Sequence, residues 1–382
     1  MINYNVWLQL ILGAGNNRLL KIIDYFKTAK NVHSAGYEAC LQSGLFTNRE
    51  LSRIKKTHIS IAEKIVSDCK KLGIEIIALG DKRYPISLSV IDNPPLVIYV
   101  KGKLPDFNGT PSICIVGPRE ASDFGKRSAY SLSYRLSRAG FIVVSGGAIG
   151  IDTYAHAGTL KADGITALVM ACGTESKYLP ENAAMRKAVT EKGCLISEYP
   201  PFADTTKYAF PIRNRIMSAL TLGTVVIEAG TKSGALITAR NAYEQGRDVF
   251  VIPGSPNKKE YLGSNALLRD GAKPLLDASD IFNEYILRFP DKINIERAYQ
   301  GKIISDTKQC ENEKSEKKKE NFNETLSKEA KIVYNCLDKQ KFLPEEIKNT
   351  GLSSQQLLSA LTELEMEFLI RALPGGMFEK IS

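Results

Sequence analysis

Residues 112–275 alternate short apolar runs with helical stretches, and few architectures accept that pattern. Strands are predicted at Ile113–Val116, Phe141–Ser145, Thr166–Ala171, Cys194–Ser197, Thr224–Glu228 and Asp248–Ile252. Helices are predicted near Gly125–Ala139, Asp152–Ala162, Ala183–Glu191, Arg213–Leu220, Gly234–Glu244 and Asn265–Asp270. The apolar runs are rich in β-branched residues at consecutive positions, as strands covered on both faces require. This alternation predicts an α/β fold with a parallel, extended Rossmann-like sheet. Two earlier runs, Ile74–Leu79 and Pro94–Val100, read as strands added to its edge.

Ligands on such sheets bind outside the carboxyl ends of the strands. The loops expected there are distinctive. Val143-Val144-Ser145-Gly146-Gly147-Ala148-Ile149-Gly150 ends a strand and opens a helix, so its amides form a candidate phosphate cradle. The alternative is a sharp strand-to-helix turn with no ligand. Gly117-Pro118-Arg119 follows the preceding strand, and Lys207 to Arg215 follows a later one. Arg119, Lys207, Arg213 and Arg215 are candidate phosphate ligands, since guanidinium and ammonium groups bind phosphate oxygens. Phe210 is either a stacking platform for a base or a core residue. Arg213 and Arg215 are either phosphate ligands or partners of Glu198 and Glu228 in structural ion pairs. A cradle, cations and an aromatic together describe a single-stranded nucleic-acid groove.

Other chemistries fit the spacing poorly. No G-x-G-x-x-G follows the first strand, where Pro118 also removes an amide donor. No phosphate-binding G-K-[ST] occurs. A triad of Ser145, His156 and Asp152 would place His156 four residues after Asp152 on one helix, where local pairing is the better expectation. The seven cysteines are scattered without C-x-x-C spacing, and there are three histidines. These fit reduced thiols in a cytoplasmic protein, with no metal site and no cofactor. No apolar run approaches a membrane span, and the first 20 residues do not have a signal-peptide pattern. The net charge of +9 sits early in the chain: 15 basic against 9 acidic residues in 1–109, and 20 against 14 in 110–275. Such a surplus attracts polyanions.

Four segments are expected. Residues 1–70 are helical; Gly13-Ala14-Gly15 between two helices reads as half of a helix-hairpin-helix or SAM-like unit, with simple packing the stronger reading. Leu51–Leu72 reads as one helix ending at Gly73. Residues 71–289 form the Rossmann-like domain. Residues 290–321 read as a charged linker, including the lysines at 317–319 among glutamates. Residues 322–382 read as three helices and a hairpin, a winged-helix domain. Its third helix, Gln355–Phe368, carries Glu363, Glu365 and Glu367 and no basic residue. That composition favours a protein partner over duplex DNA.

The motifs Val116-Gly117-Pro118-Arg119, Ser145-Gly146-Gly147-Ala148 through Asp152 and Ala155-His156, Ser197-Glu198-Tyr199-Pro200, Phe210-Pro211-x-Arg213-Asn214-Arg215 and Pro253-Gly254 resemble the DNA-processing protein A family (DprA, or Smf). The resemblance implies a non-enzymatic, dimeric protein that binds single-stranded DNA and loads the RecA recombinase during natural transformation. It implies DNA contacts at Arg119, Ser145, Gly146, Gly147, Lys207 and Phe210; Arg213, Asn214 and Arg215 join them as candidate DNA-binding residues. One motif departs from the family: Tyr178-Leu179-Pro180-Glu181-Asn182 has Pro180 where some members carry a contact lysine, and Lys177 is the neighbouring candidate. The alternative function is a Rossmann-like nucleoside-monophosphate hydrolase. Its P-G-G-x-G-T-x-x-E loop is absent, although Pro253-Gly254-Ser255 and Glu228-Ala229 are present.

Overall fold

The computed structural model describes residues 1–300, 326–337, 340–347, 350–367, 369–373 and 376–381. They fall into two compact units: Met1–Tyr178 with Arg186–Gln300, and Leu179–Met185 with the chain beyond Gln300.

The larger unit begins with helices α1 (Ile2–Leu12), α2 (Leu19–Phe26), α3 (Ala29–Gln42), α4 (Asn48–Lys56) and α5 (Ile59–Lys71). They enclose Val6, Trp7, Ile11, Ile22 and Val32 in one apolar core. The single helix expected over Leu51–Leu72 is two. Thr57 turns extended, its carbonyl accepts a hydrogen bond from Trp7 Nε1 at 2.8 Å, and His58 Nδ1 caps α5 by accepting from the Ser60 amide. Apolar spacing carries on across such a break, so periodicity alone does not show it. The Gly13–Gly15 turn is not a free phosphate loop. The Gly15 amide donates to Glu198 Oε1 at 3.1 Å, and Gln9 exchanges hydrogen bonds with Val97 and donates to the Glu198 carbonyl.

The sheet comprises β1 (Ile74–Ala78), β2 (Val97–Gly102), β3 (Ser112–Val116), β4 (Ile142–Ser145), β5 (Thr166–Met170), β6 (Cys194–Ser197), β7 (Gly223–Val226), β8 (Asp248–Val251) and β9 (Lys273–Pro274). Their order is β1-β2-β6-β5-β4-β3-β7-β8-β9. From β6 through β9 every pairing is parallel, while β1 and β2 add an antiparallel edge. β3 to β7 and β4 are buried throughout, which accounts for their unbroken apolar sequences. The chain runs outward from β3 through β4, β5 and β6, then returns to start β7 on the other side of β3. The switch point of this doubly wound sheet is therefore the crevice beyond the carboxyl ends of β3 and β7.

Around the sheet lie α6 (Ile86–Ser89), α7 (Asp123–Arg138), α8 (Ile151–Lys161), α9 (Ala183–Lys192), α10 (Ala209–Ala219), α11 (Ala235–Glu244), α12 (Leu262–Arg269), α13 (Ala278–Tyr285) and α14 (Ile295–Tyr299). α10 starts four residues before the expected Arg213. Pro211 falls in its first turn, where a missing amide costs no helical hydrogen bond. The larger unit also outlasts the expected boundary at 289. The Asn294 amide donates to the Ala139 carbonyl, and Tyr299 packs on Arg135 with 4.9 Å from guanidinium to ring centroid. The rest of the expected linker, with the lysines at 317–319, lies outside the described residues.

The smaller unit holds α15 (Lys328–Asn335), α16 (Ser354–Met366) and a sheet of β10 (Lys341–Phe342), β11 (Ile370–Ala372) and β12 (Phe378–Lys380), ordered β10-β12-β11. Val333, Phe342, Leu361, Leu364 and Ile370 form its core. Two helices beside a hairpin sheet, with a short helical turn at Pro344–Glu346, give the winged-helix arrangement. Glu363, expected on an outer acidic face, instead closes the start of α15. Its carboxylate accepts from the Ser327 amide at 2.7 Å and hydroxyl at 2.6 Å. The expected turn residues Pro374 and Gly375 lie outside the described residues, as does Phe368.

Candidate nucleic-acid interface

Two loops meet at the switch point. The first, Gly117–Ser122, leaves β3 and enters α7. Ser122 caps α7, its hydroxyl accepting from the Gly125 amide at 2.9 Å. The same residue is held from beyond β7. The buried Glu228 carboxylate accepts from the Ser122 amide at 2.6 Å and its hydroxyl at 2.7 Å. Gly150 supports the loop from beneath. Its φ is +87°, and a Cβ there would run into the backbone carbonyls of Pro118 and Arg119. Arg119 thus rises from a fixed backbone and is exposed.

Phe210 approaches from the first turn of α10. The Arg119 guanidinium lies 5.2 Å from its ring centroid, within cation–π range. Tyr178 supports the ring from another side at 5.6 Å between centroids. Phe210 is half-buried, so part of the ring remains for a further contact. Lys207 and Tyr208 precede it in exposed positions, with Lys207 Nζ 5.2 Å from the Tyr208 ring centroid. Lys177 is exposed beside Tyr178. Among the described residues, neither Arg119 nor Lys207 makes an ion pair.

A cavity of about 550 Å³ opens beneath this rim. Arg119, Phe210 and Arg213 line one side, and Thr231–Ala235, Thr238 and Lys259 the other.

Residues 75–286 match the model of DNA recombination-mediator protein A, and residues 320–376 that of the DprA winged helix domain. The chain belongs to the DNA recombination-mediator protein A family. It is 32% identical over 290 residues to DNA processing protein DprA of Streptococcus pneumoniae, covering 74% of this chain and 98% of the relative. It is 38% identical over 221 residues to DNA processing protein DprA of Bacillus subtilis, covering 58% and 74%. The X-ray structure of the S. pneumoniae protein superposes with a TM-score of 0.65 at 29% identity, covering 74% of this chain and 98% of that one. A structure of DNA processing protein A from Helicobacter pylori, which concerns that protein's single-stranded DNA binding mode, gives 0.51 at 25% identity, covering 56% and 96%.

In this member of the recombination-mediator family, the expected site residues separate into two groups. Arg119, Lys207 and Phe210 stand on the rim. Ser145, Arg213, Asn214 and Arg215 are buried, contrary to their expected place as exposed phosphate ligands. Ser145 is spent on the sheet, its hydroxyl donating to the Ile115 carbonyl at 2.7 Å. Asn214 lines the cavity wall, with Nδ2 3.5 Å from the Gly234 carbonyl oxygen. Arg213 and Arg215 lie on the inward face of α10.

Arg215 forms a buried ion pair with Glu198, 2.6 Å from Nη2 to Oε2. This is the structural alternative that the sequence left open, though only with Glu198; Glu228 serves Ser122 instead. Burial pushes the Glu198 carboxyl above its ordinary range, and the Arg215 charge opposes that shift. Arg213 donates to the Val169 carbonyl and packs so close to Gly146 that a Cβ there would meet its guanidinium. Burial lowers the Arg213 pKa, and the nearby Asp152 carboxylate offsets part of that cost.

The glycine loop already holds an anion. Asp152 Oδ2 accepts from the Gly146 and Ala148 amides, each at 3.2 Å. The cradle inferred from the glycines therefore exists, but the chain's own carboxylate occupies it. No triad forms either. His156 Nδ1 pairs with the Thr166 hydroxyl at 2.8 Å, and that hydroxyl donates to the Val143 carbonyl. Nδ1 must then be the donor, which leaves a neutral ring with Nε2 unpartnered. Burial depresses the His156 pKa to about 3.

Sequence reading missed Lys232, Lys259, Thr238 and the Glu228–Ser122 clamp. The Ser233-Gly234 start of α11 signalled the first and third only through its place after a strand. Lys259 carried no signal.

Proposed function

We propose that this protein binds single-stranded DNA without sequence preference across the rim formed by Arg119, Lys207 and Phe210. One observation carries the reading: an exposed guanidinium with no carboxylate partner among the described residues stands against a half-exposed aromatic ring at the switch point of the sheet. Phosphate oxygens attract the cations, and a base stacks on the face of Phe210 whatever its identity. Lys177 and Tyr208 extend the same rim. Membership of the recombination-mediator family and the single-stranded DNA binding of the H. pylori relative support the assignment.

In the cell the protein acts as a recombination mediator, loading RecA on incoming strands during natural transformation. It works as a homodimer in the cytoplasm and performs no catalysis. No helix among the described residues is long and apolar enough to cross a membrane. The hydrolase alternative is not favoured, because the Glu228 carboxylate is committed to Ser122. The winged helix serves a protein partner, in line with the −2 charge of residues 322–382.

Fluorescence anisotropy with labelled oligonucleotides tests this reading. The protein should bind oligo-dT and mixed-sequence single strands with similar affinity, bind duplex more weakly, and lose affinity steeply as salt rises. Equal affinity for duplex and single strand would refute it.

A further inference from the structure

The segment that carries Lys207, Tyr208 and Phe210 leaves β6 at Glu198 and ends in the first turns of α10. Both of its ends are held by the first helical hairpin. Gln9, on α1, is 7% exposed. Its carboxamide oxygen accepts from the Val97 amide at 2.8 Å. Its Nε2 donates to the Val97 carbonyl at 3.0 Å and to the Glu198 carbonyl at 2.7 Å. Tyr99 and Ser197 are the last residue pair of the β2–β6 ladder. Gln9 therefore takes up the backbone groups where that ladder stops, and so fixes the point at which the segment departs.

Gly15 holds the other end. Its amide donates to Glu198 Oε1 at 3.1 Å, and Oε2 of the same carboxylate pairs with Arg215 Nη2 at 2.6 Å. The carboxylate thus ties the turn between α1 and α2 to the second turn of α10. Packing reinforces the tie. Gly15 has a φ of +70°, and a Cβ there would stand 2.8 Å from Ile212 Cγ2. Ile212 and Arg215 are three residues apart and share the face of α10 that the turn meets. Ile212 is β-branched, with one strongly preferred χ1 rotamer on a helix, so pressure on it passes to the helix backbone. Phe210 lies two residues earlier, in the first turn of the same helix.

We propose that Gln9 and Gly15 are positioning residues for the rim: the N-terminal hairpin clamps both ends of residues 198–215 and so sets where Lys207 and Phe210 stand relative to Arg119. The effect on binding rests on the single-stranded DNA reading above; the clamp itself does not. The Gly13-Ala14-Gly15 turn thereby has a purpose other than holding a DNA phosphate. Its Gly15 amide is spent on an internal carboxylate, and the missing side chain lets α10 approach.

The full-length protein is compared with Gly15→Ala, with Gly15→Ala combined with Ile212→Ala, and with Val32→Ala, which opens a cavity in the same helical core. Two quantities are read: hydrogen exchange of the amides of residues 205–215 in the free protein, and affinity for oligo-dT. Gly15→Ala should speed that exchange and weaken binding about fivefold, the low end of the loss when one base loses its stacking partner. Ile212→Ala makes room for the added methyl, so the double variant should recover both. Its melting temperature should stay low, because alanine at a positive φ remains strained. Val32→Ala should lower the melting temperature and leave both readings unchanged. Gln9→Met removes the hold at the other end without a clash, should also speed exchange and weaken binding, and decides the matter if Gly15→Ala does not fold. Unchanged exchange, faster exchange with unaltered affinity, no recovery in the double variant, or an equal effect of Val32→Ala overturns the proposal. If exchange responds as expected but the unsubstituted protein does not bind oligo-dT, it is the single-stranded DNA reading that fails, and the clamp stands.

Discussion

The Arg119 guanidinium lies 5.2 Å from the centroid of the Phe210 ring. This contact joins the loop after β3 to the first turn of α10, across the switch point of the sheet. Each residue holds the other in place, and each keeps a face toward solvent. Stacking on an aromatic contributes about 1–3 kcal/mol per base. Phe210→Ala should therefore weaken oligo-dT binding by roughly five- to 150-fold, with little change in its salt dependence. Anisotropy titrations at two salt concentrations separate the two effects.

Arg119 depends on Gly150 for its position. A Cβ at residue 150 would meet the Pro118 and Arg119 carbonyls, and φ is +87°. Gly150→Ala should destabilise the fold by about 1–3 kcal/mol and also weaken DNA binding, although residue 150 is buried. Denaturant melts and oligo-dT titration of the same preparation test both parts. An Ala variant with normal affinity would mean that the loop does not set the position of Arg119.

The Arg215–Glu198 pair is structural. Removing one partner of a buried pair leaves the other charge uncompensated, at a cost of about 3–5 kcal/mol. Arg215→Met should lower stability by that order. Combining it with Glu198→Gln should recover much of the loss, since the buried charge is then gone. Urea melts of the two single variants and the double variant form the cycle that measures the coupling.

His156 makes stability depend on pH. Its folded pKa is depressed to about 3, against about 6.5 when unfolded. The stability this represents is fully present above the unfolded value and is lost as pH falls from about 6.5 toward 3, because only the unfolded chain takes up the proton. The loss is on the order of a few kcal/mol. His156→Asn keeps a donor for Thr166 and cannot titrate. Melting temperature plotted against pH over this interval should be flatter for the variant; parallel curves would remove His156 from the account.

Some of this was legible in the sequence, and the reason differs from place to place. Strands such as Cys194–Ser197 are short, with an apolar run between a glycine and a charged residue, so their limits are sharp, and β6 falls on the expected residues. The loops beyond the strands followed from the fold. The direction of Arg213 and Arg215 did not. Both residues fall in a helix in either reading; that they sit on its inner face depends on what α10 packs against, the Val169 carbonyl for Arg213 and Glu198 for Arg215. The glycines mark a loop that turns its amides toward an anion, with a ligand-free turn as the alternative, and they do not say which anion it holds. That Asp152 fills it depends on how the loop folds back on the start of α8. Contacts such as Gly15 with Glu198 span 183 residues of sequence and leave no local trace.

The account rests on the rim cations holding a strand by its phosphates. The most direct test is the affinity of Arg119→Ala with Lys207→Ala for oligo-dT, measured by anisotropy across a range of salt. Both side chains are exposed and make no ion pair among the described residues, so the fold should survive their removal. The account predicts a large loss of affinity at moderate salt and a slope of log affinity against log salt shallower by about 1.4, the value for two lost phosphate contacts on a single strand. Unchanged affinity and slope in the folded double variant would contradict it.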